Sequence, residues 1–485
     1  MRTLQTLDWL RRYESPNVTF IEPDGSWPIV WERARGAHVW DAEGRKYLDL
    51  TAAFGVAAAG HANPRVVRAG ARQMAKLLHA MGDVHPHALK AQLARALSGL
   101  TFERWTKPRT QGPPQVPHSP LATGHSENER QRQAQAHAQA PEGSRRGKTI
   151  FCNSGFEAVE AALKTAKLAT DKPGVIAFTG AYHGVGYGAL NATHREHFRS
   201  HFSGQLGEFG RFAPFPAGPE ELPAVGEVID RLLRRQPIGA VLVEPIQVRG
   251  GVNIPPPEFL PLLRRLCDEY SALLILDEIY TGFGRTGKWF ACEHAGAVPD
   301  LICLGKALTG GFPLSACVGK SGVMDGAWPP STGEAIHTST FLGHPVGCAM
   351  ALAQIEEIRA WRLVQRSASL GRFLLSLLSK LAAPGSGLRL SARGLGLLAG
   401  LEVRAGDGSP ATAAALGLLK TMLHSGFILL PEGEHANVLS FTPPLTISQS
   451  GLAAAVHGLE RAMGACGRMR TLPRQPIVEG PERRL

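Results

Sequence analysis

Five short apolar runs in the middle of the chain constrain its fold more than any other feature. They are KTIFC (148–152), GVIAFTG (174–180), AVLVEP (240–245), LLILDE (273–278) and LICLG (301–305). Each is too short for a buried helix and carries no alternation, as expected of strands covered on both faces. Helical patterns lie between them, as in EAVEAALKTAKLA and PEFLPLLRRLCDEY. That alternation predicts βαβ units and an α/β fold with a mostly parallel sheet. Upstream, GAHVWDAEGRKYLDLTA reads as a meander, two strand-like runs around Glu43 and Gly44. From about Val346 onward, helices mix with short strands. The expected layout is a large central domain over 76–344, with a smaller α+β domain built from both chain ends, 1–75 and 345–485.

One segment breaks the pattern. Residues 105–147 are rich in Pro, Gln, Ser and His and poor in large apolar groups. Such a composition cannot bury enough surface to offset its ordering entropy, so it reads as a disordered insertion. Much of the formal charge of +11 lies there and in the tail from Arg468 to Leu485. Neither segment interleaves aromatics with its positive charges, as a single-strand nucleic-acid surface would. The charge therefore reads as solvated decoration, and no nucleic-acid partner is expected. Seven cysteines are scattered singly with no metal-ligand spacing, which suits reduced core residues and no metal site. No apolar run spans a bilayer, and the N-terminus MRTLQTLDWLRRYESP is too charged for a signal-peptide core. A cytoplasmic protein without a membrane partner is expected.

The chemistry gathers where these runs end. LICLG stops at Lys306, close to an interior that solvates an ammonium poorly and so lowers its pKa. A neutral lysine amine can form Schiff bases. LLILDE ends in Asp277 and Glu278, which point to opposite faces of a strand and so cannot share one role. A buried aspartate needs a fixed cation, and a protonated heterocyclic nitrogen would serve. After KTIFC, Asn153 and Ser154 can cap a helix starting near Glu157, with Gly155 allowing a tight turn. This is the arrangement of a phosphate site. AYHG after GVIAFTG sets Tyr182 where it could stack on a planar ligand, and Glu244 ends another strand. Open α/β sheets bind ligands at this edge. Lysine for a Schiff base, carboxylate for a pyridinium and helix N-terminus for a phosphate are the requirements of pyridoxal 5′-phosphate.

At these residues the sequence resembles a known family, the class-III pyridoxal-phosphate aminotransferases of fold type I. GAHVWDAEGRKYLDL with GHANP is similar to the family's N-terminal signature. LDEIYTGFGRTG and LGKALTGG resemble its central one, and HTSTFLGHPVGCAMALA and LSFTPPLTIS its later blocks. The resemblance implies a homodimer with sites at the subunit interface. Lys306 would carry the cofactor and shuttle a proton between substrate carbon and cofactor, and Asp277 would keep the pyridine nitrogen protonated. Ser154, Gly155 and Phe156 would hold the phosphate, with Thr340 from the partner subunit. Tyr182 and Ile279 would cover the two ring faces. Tyr280 stands where many relatives have glutamine. The implied activity is ping-pong transfer of an amino group from an amino acid or ω-amino acid to a 2-oxo acid or aldehyde.

An aminomutase or racemase would use the same core residues. A non-catalytic basic binding protein on this scaffold would be expected to have lost Lys306 or Asp277. Substrate contacts are expected from Glu244, Arg249 and Ser440. Many relatives have glutamate where Arg249 stands and a carboxylate-gripping arginine where Ser440 stands. Either the cationic group has crossed the pocket, so that Arg249 holds a substrate carboxylate, or these are two independent surface changes.

Overall fold

The computed structural model describes residues 2–106, 145–383 and 385–469. The expected insertion, apart from its flanks, and nearly all of the basic tail lie outside the described residues.

Strands β1 (Trp31–Arg35), β2 (His38–Asp41) and β3 (Lys46–Asp49) form an antiparallel meander. Its tight turn is organised by one carboxylate. Asp41 Oδ1 accepts from the N–H groups of Glu43 and Arg45, and Oδ2 accepts from Tyr47 Oη at 2.9 Å.

The central sheet contains β4 (Gly147–Cys152), β5 (Gly174–Phe178), β6 (Gly210–Ala213), β7 (Ile238–Val243), β8 (Leu273–Asp277), β9 (Leu301–Leu304) and β10 (Ser315–Lys320). Their spatial order is β4-β10-β9-β8-β7-β5-β6. The pairs from β9 across to β6 are parallel, while β10 runs antiparallel to both β9 and β4. The five apolar runs are β4, β5, β7, β8 and β9, so the mostly parallel α/β sheet follows the sequence.

Helix Gly155–Thr170 covers one face of the sheet with Ala158, Ala161, Ala162 and Ala166, all buried. Small residues let it lie close, and Ala158 O is 3.5 Å from Cys303 Sγ. On the other face Phe259, Leu263 and Cys267 of helix Phe259–Glu269 join a core with Phe178, Leu274 and Leu276. The six described cysteines outside the C-terminal helix are unpaired and buried.

Toward the C-terminus, β11 (Leu388–Leu395), β12 (Leu398–Ala405), β14 (Leu430–Glu432) and β15 (Val438–Phe441) form a third sheet in the order β11-β12-β15-β14. Between them β13 (Phe427–Ile428) leaves to pair in parallel with β3, so the meander gains its fourth strand from far along the chain. No described helix is long and apolar enough to cross a membrane.

Candidate active site

Strands β5, β7, β8 and β9 are parallel, so their C-terminal ends open on one edge of the sheet. There Gly155, Phe156, Tyr182, Glu244, Arg249, Asp277, Ile279, Tyr280 and Lys306 line one cavity of about 230 Å³. Nine of the twelve expected site residues therefore meet. Ser154 lies at the head of helix Gly155–Thr170, and Ser440 is buried on β15. Thr340 is exposed and does not line the cavity of its own chain. Its neighbour Ser339 accepts at 3.3 Å from Asn153 Nδ2.

Lys306 begins a short 3-10 turn directly after Gly305, with φ +42. A left-handed backbone at a non-glycine residue stores strain, which persists only where the surroundings impose it. Burial pushes its ammonium below the ordinary lysine value, while Asp277 and Glu244 oppose the shift. Its Nζ stands 4.5 Å from the centre of the Tyr280 ring.

Asp277 closes β8 with both oxygens engaged. Oδ2 is 2.8 Å from His183 Nδ1, and Oδ1 accepts from Ile279 N at 3.1 Å. The next residue faces the other way. Glu278 accepts from Thr281 Oγ1 and from the N–H groups of Ala291 and Cys292, so it ties a loop rather than entering the cavity. Burial pushes its carboxyl up to about 7. Glu244 accepts from Tyr182 N at 2.9 Å, and burial likewise pushes it up to about 7.

The turn after β4 differs from the expected capping arrangement. The helix begins at Gly155, and the Ser154 side chain makes no capping hydrogen bond. Glu157 reaches back instead and accepts from Asn153 N at 2.7 Å. Ser154 Oγ is left buried with no partner, beside the free N–H groups of the first helical turn. Such a cradle suits an anion.

Three features of the site were not expected from the sequence. His183 braces Asp277, and its Nε2 is buried without a described partner. Glu432 lies 3.4 Å from Arg249 Nη1. Residues Ala52 to Gly55 all have positive φ, and this left-handed turn packs on the Tyr280 ring. Among the described residues no group of three or more His, Cys, Asp or Glu could hold a metal ion.

Comparison with known proteins shows the family of the chain. The family described as aminotransferase class-III matches residues 21–108 and 116–463. The chain is a class-III aminotransferase. Acetylornithine aminotransferase of Methanosarcina mazei is 33% identical over 438 residues, covering 90% of this chain and 92% of the relative. Putrescine aminotransferase of Pectobacterium atrosepticum is 35% identical over 460 residues, covering 93% and 86%. The aminotransferase also superposes on a transaminase from the marine bacterium Virgibacillus with a TM-score of 0.81, covering 96% of this chain and all of the other. At 22% identity that likeness speaks for the fold alone. An amine transaminase from an uncultivated Pseudomonas species, in PLP-bound form, matches with a TM-score of 0.77 and 26% identity, covering 94% and 99%. The fold is that of the type I PLP-dependent transaminases, and the activity is transfer of an amino group between small amino and keto compounds.

Proposed function

We propose that the strand-end cavity holds pyridoxal 5′-phosphate and that the enzyme takes amino donors bearing a carboxylate. The observation that carries the first part is the meeting of Lys306 and the braced Asp277 in one cavity, with the unpartnered Ser154 Oγ on the residue next to its Gly155 wall. The donor set fits the cofactor. Lys306 would be its covalent attachment, and Ser154 with the N–H groups of Gly155 and Phe156 would take the phosphate. Asp277 would hold the proton on the ring nitrogen, and Tyr182 and Ile279 would wall the ring.

When bound, the cofactor supplies an electron sink for the bonding pair released at the substrate carbon. The remaining work falls to the chain. Lys306, once released by the incoming donor amine, would take the proton from that carbon as a base and deliver it to the cofactor's adjoining carbon as an acid, a task suited to an amine whose pKa burial has lowered. Asp277, fixed by His183 and Ile279 N, keeps its charge aimed at one place. Asp277 and Glu244 are buried, and the low local dielectric strengthens their electrostatic contacts.

Arg249 supports the second part. It is neither on the open surface nor isolated, because it lines the same cavity as Lys306, with its guanidinium 5.5 Å from the Tyr182 ring centre. Ser440, buried on β15, cannot supply the positive charge. A guanidinium matches a carboxylate in geometry and charge. Relatives named for their substrates include aminotransferases of acetylornithine and of 5-aminovalerate, which bear a carboxylate, and of putrescine, a diamine that does not. Arg249→Ala should lower kcat/KM for carboxylate-bearing donors by about 10- to 150-fold, the loss of one charge-assisted contact. Simple amines should be little affected. Equal losses for both donor classes, or none, would overturn the assignment.

A homodimer completes this reading, with Thr340 reaching the phosphate of a second copy. Leu78, Met81, Val84, Ile336 and Phe341 are each more than half exposed, and large apolar groups at that density suit a covered face. Sedimentation should give twice the 51.9 kDa chain mass. A monomer that is fully active would contradict it.

A further inference from the structure

Arg249 sits on a loop whose backbone is fixed from two sides. Gly433 N donates to Arg249 O at 3.1 Å. Arg393 donates to Gly251 O at 2.6 Å and to Val252 O at 3.0 Å. The residue before Gly433 is Glu432, the last residue of β14. Its Oε2 lies 3.4 Å from Arg249 Nη1, with 2% of the Glu432 side chain exposed against 30% of Arg249. Its other oxygen, Oε1, is buried and has no partner. The carboxylate is therefore half satisfied, and the guanidinium in front of it has donors to spare. Glu432 does not line the cavity, whereas Arg249 does.

A buried carboxylate at this distance offsets most of the field that an arginine would otherwise present to an incoming anion. We propose that Glu432 competes with the substrate carboxylate for Arg249 and thereby sets how strongly the pocket prefers carboxylate-bearing donors over simple amines. This rests on Arg249 being the carboxylate contact. Glu432 determines specificity through Arg249 and touches no reacting atom. Donor choice then depends on a pair of residues, one lining the cavity and one behind it.

The pair also makes the preference depend on pH. Burial pushes the Glu432 carboxyl up to about 7, against the pull of Arg249, Lys306 and Arg195. The hydroxyls of Tyr182 and Tyr280 also face it, and both are raised by burial, so they stay neutral through this range. Below about 7, Glu432 takes up a proton and stops competing. Above it, the charge returns and carboxylate binding weakens.

The test is equilibrium binding of valerate, a carboxylate with no amino group to react, to the holoenzyme by titration calorimetry. Wild type should bind it more tightly at pH 6 than at pH 8.5. Glu432→Gln should bind it about 10-fold more tightly than wild type at pH 8.5 and show a smaller pH dependence, the remainder coming from Glu244 in the same cavity. Glu432→Asp, which keeps the charge, should retain the wild-type dependence. Arg249→Ala should lose most of the affinity at either pH. Unchanged affinity in Arg249→Ala would remove the carboxylate contact itself, and this proposal with it. Loss in Arg249→Ala together with unchanged or weaker binding in Glu432→Gln would overturn the role of Glu432 alone. The wild-type pH series needs no variant, and a flat profile there would also overturn it.

Discussion

Asp277 has both oxygens committed within the folded chain, to His183 Nδ1 and to Ile279 N, so its charge is held still before any ligand arrives. Asp277→Asn should keep the shape and lose the ability to hold a pyridinium proton. A fall in kcat on the order of 10²-fold or more is expected, a barrier increase of about 2.7 kcal/mol. Near-normal turnover would mean that another group faces the ring nitrogen. His183→Phe removes one of the two braces and should cost less than Asp277→Asn in the same assay. A greater cost would make the histidine the group that meets the ring. Lys306, Asp277 and Tyr182 were legible in the sequence because each follows a short apolar run, and strand ends in an open sheet are where ligands bind. His183 stood in plain view within AYHG, yet its partner lies 94 positions away and no spacing connects them. Glu432 was hidden for the same reason. Its meaning depends on which loop folds against it.

Among elements, the left-handed turn from Ala52 to Gly55 bears on the site through packing. Gly55 has φ +81, and a Cβ there would fall 2.9 Å from Tyr280 Cε1. Tyr280 is buried, its hydroxyl is 3.4 Å from Thr442 Oγ1, and its ring faces the Lys306 amine. Gly55→Ala should therefore cost roughly 1–3 kcal/mol in urea unfolding, from backbone strain and from displacing that ring. Unchanged stability would show that the turn relaxes freely. The parallel strands were readable because their apolar runs are continuous. Strand β10, SACVGK, was not, since its small and polar residues lack the apolar run by which its neighbours were recognised. Strand β6, GRFA, is a short edge with only Ala213 fully buried. Ser154 was expected as a cap and is found without a partner, while the Glu157 side chain accepts from Asn153 N.

Across the whole molecule, the flanks of the 105–147 segment meet at one residue, Phe102. Thr106 N donates to Phe102 O at 3.0 Å, and a Cβ on Gly147 would lie 2.9 Å from the Phe102 ring. A short Gly/Ser linker in place of residues 107–144 should therefore close without disturbing the sheet, since loop-closure entropy changes slowly with length. Activity and sedimentation should match the full chain, and loss of either would show that the segment contributes contacts. The seven-stranded sheet, two flanking sheets and one reactive edge make a single prediction about where covalent chemistry occurs. Borohydride reduction of the holoenzyme, followed by proteolysis and mass mapping, reads that position without any assumption about substrate. The phosphopyridoxyl label should sit on Lys306, and Lys306→Ala should carry none and have no transaminase activity. Label on any other lysine would contradict the assignment of the strand-end cavity as the catalytic site.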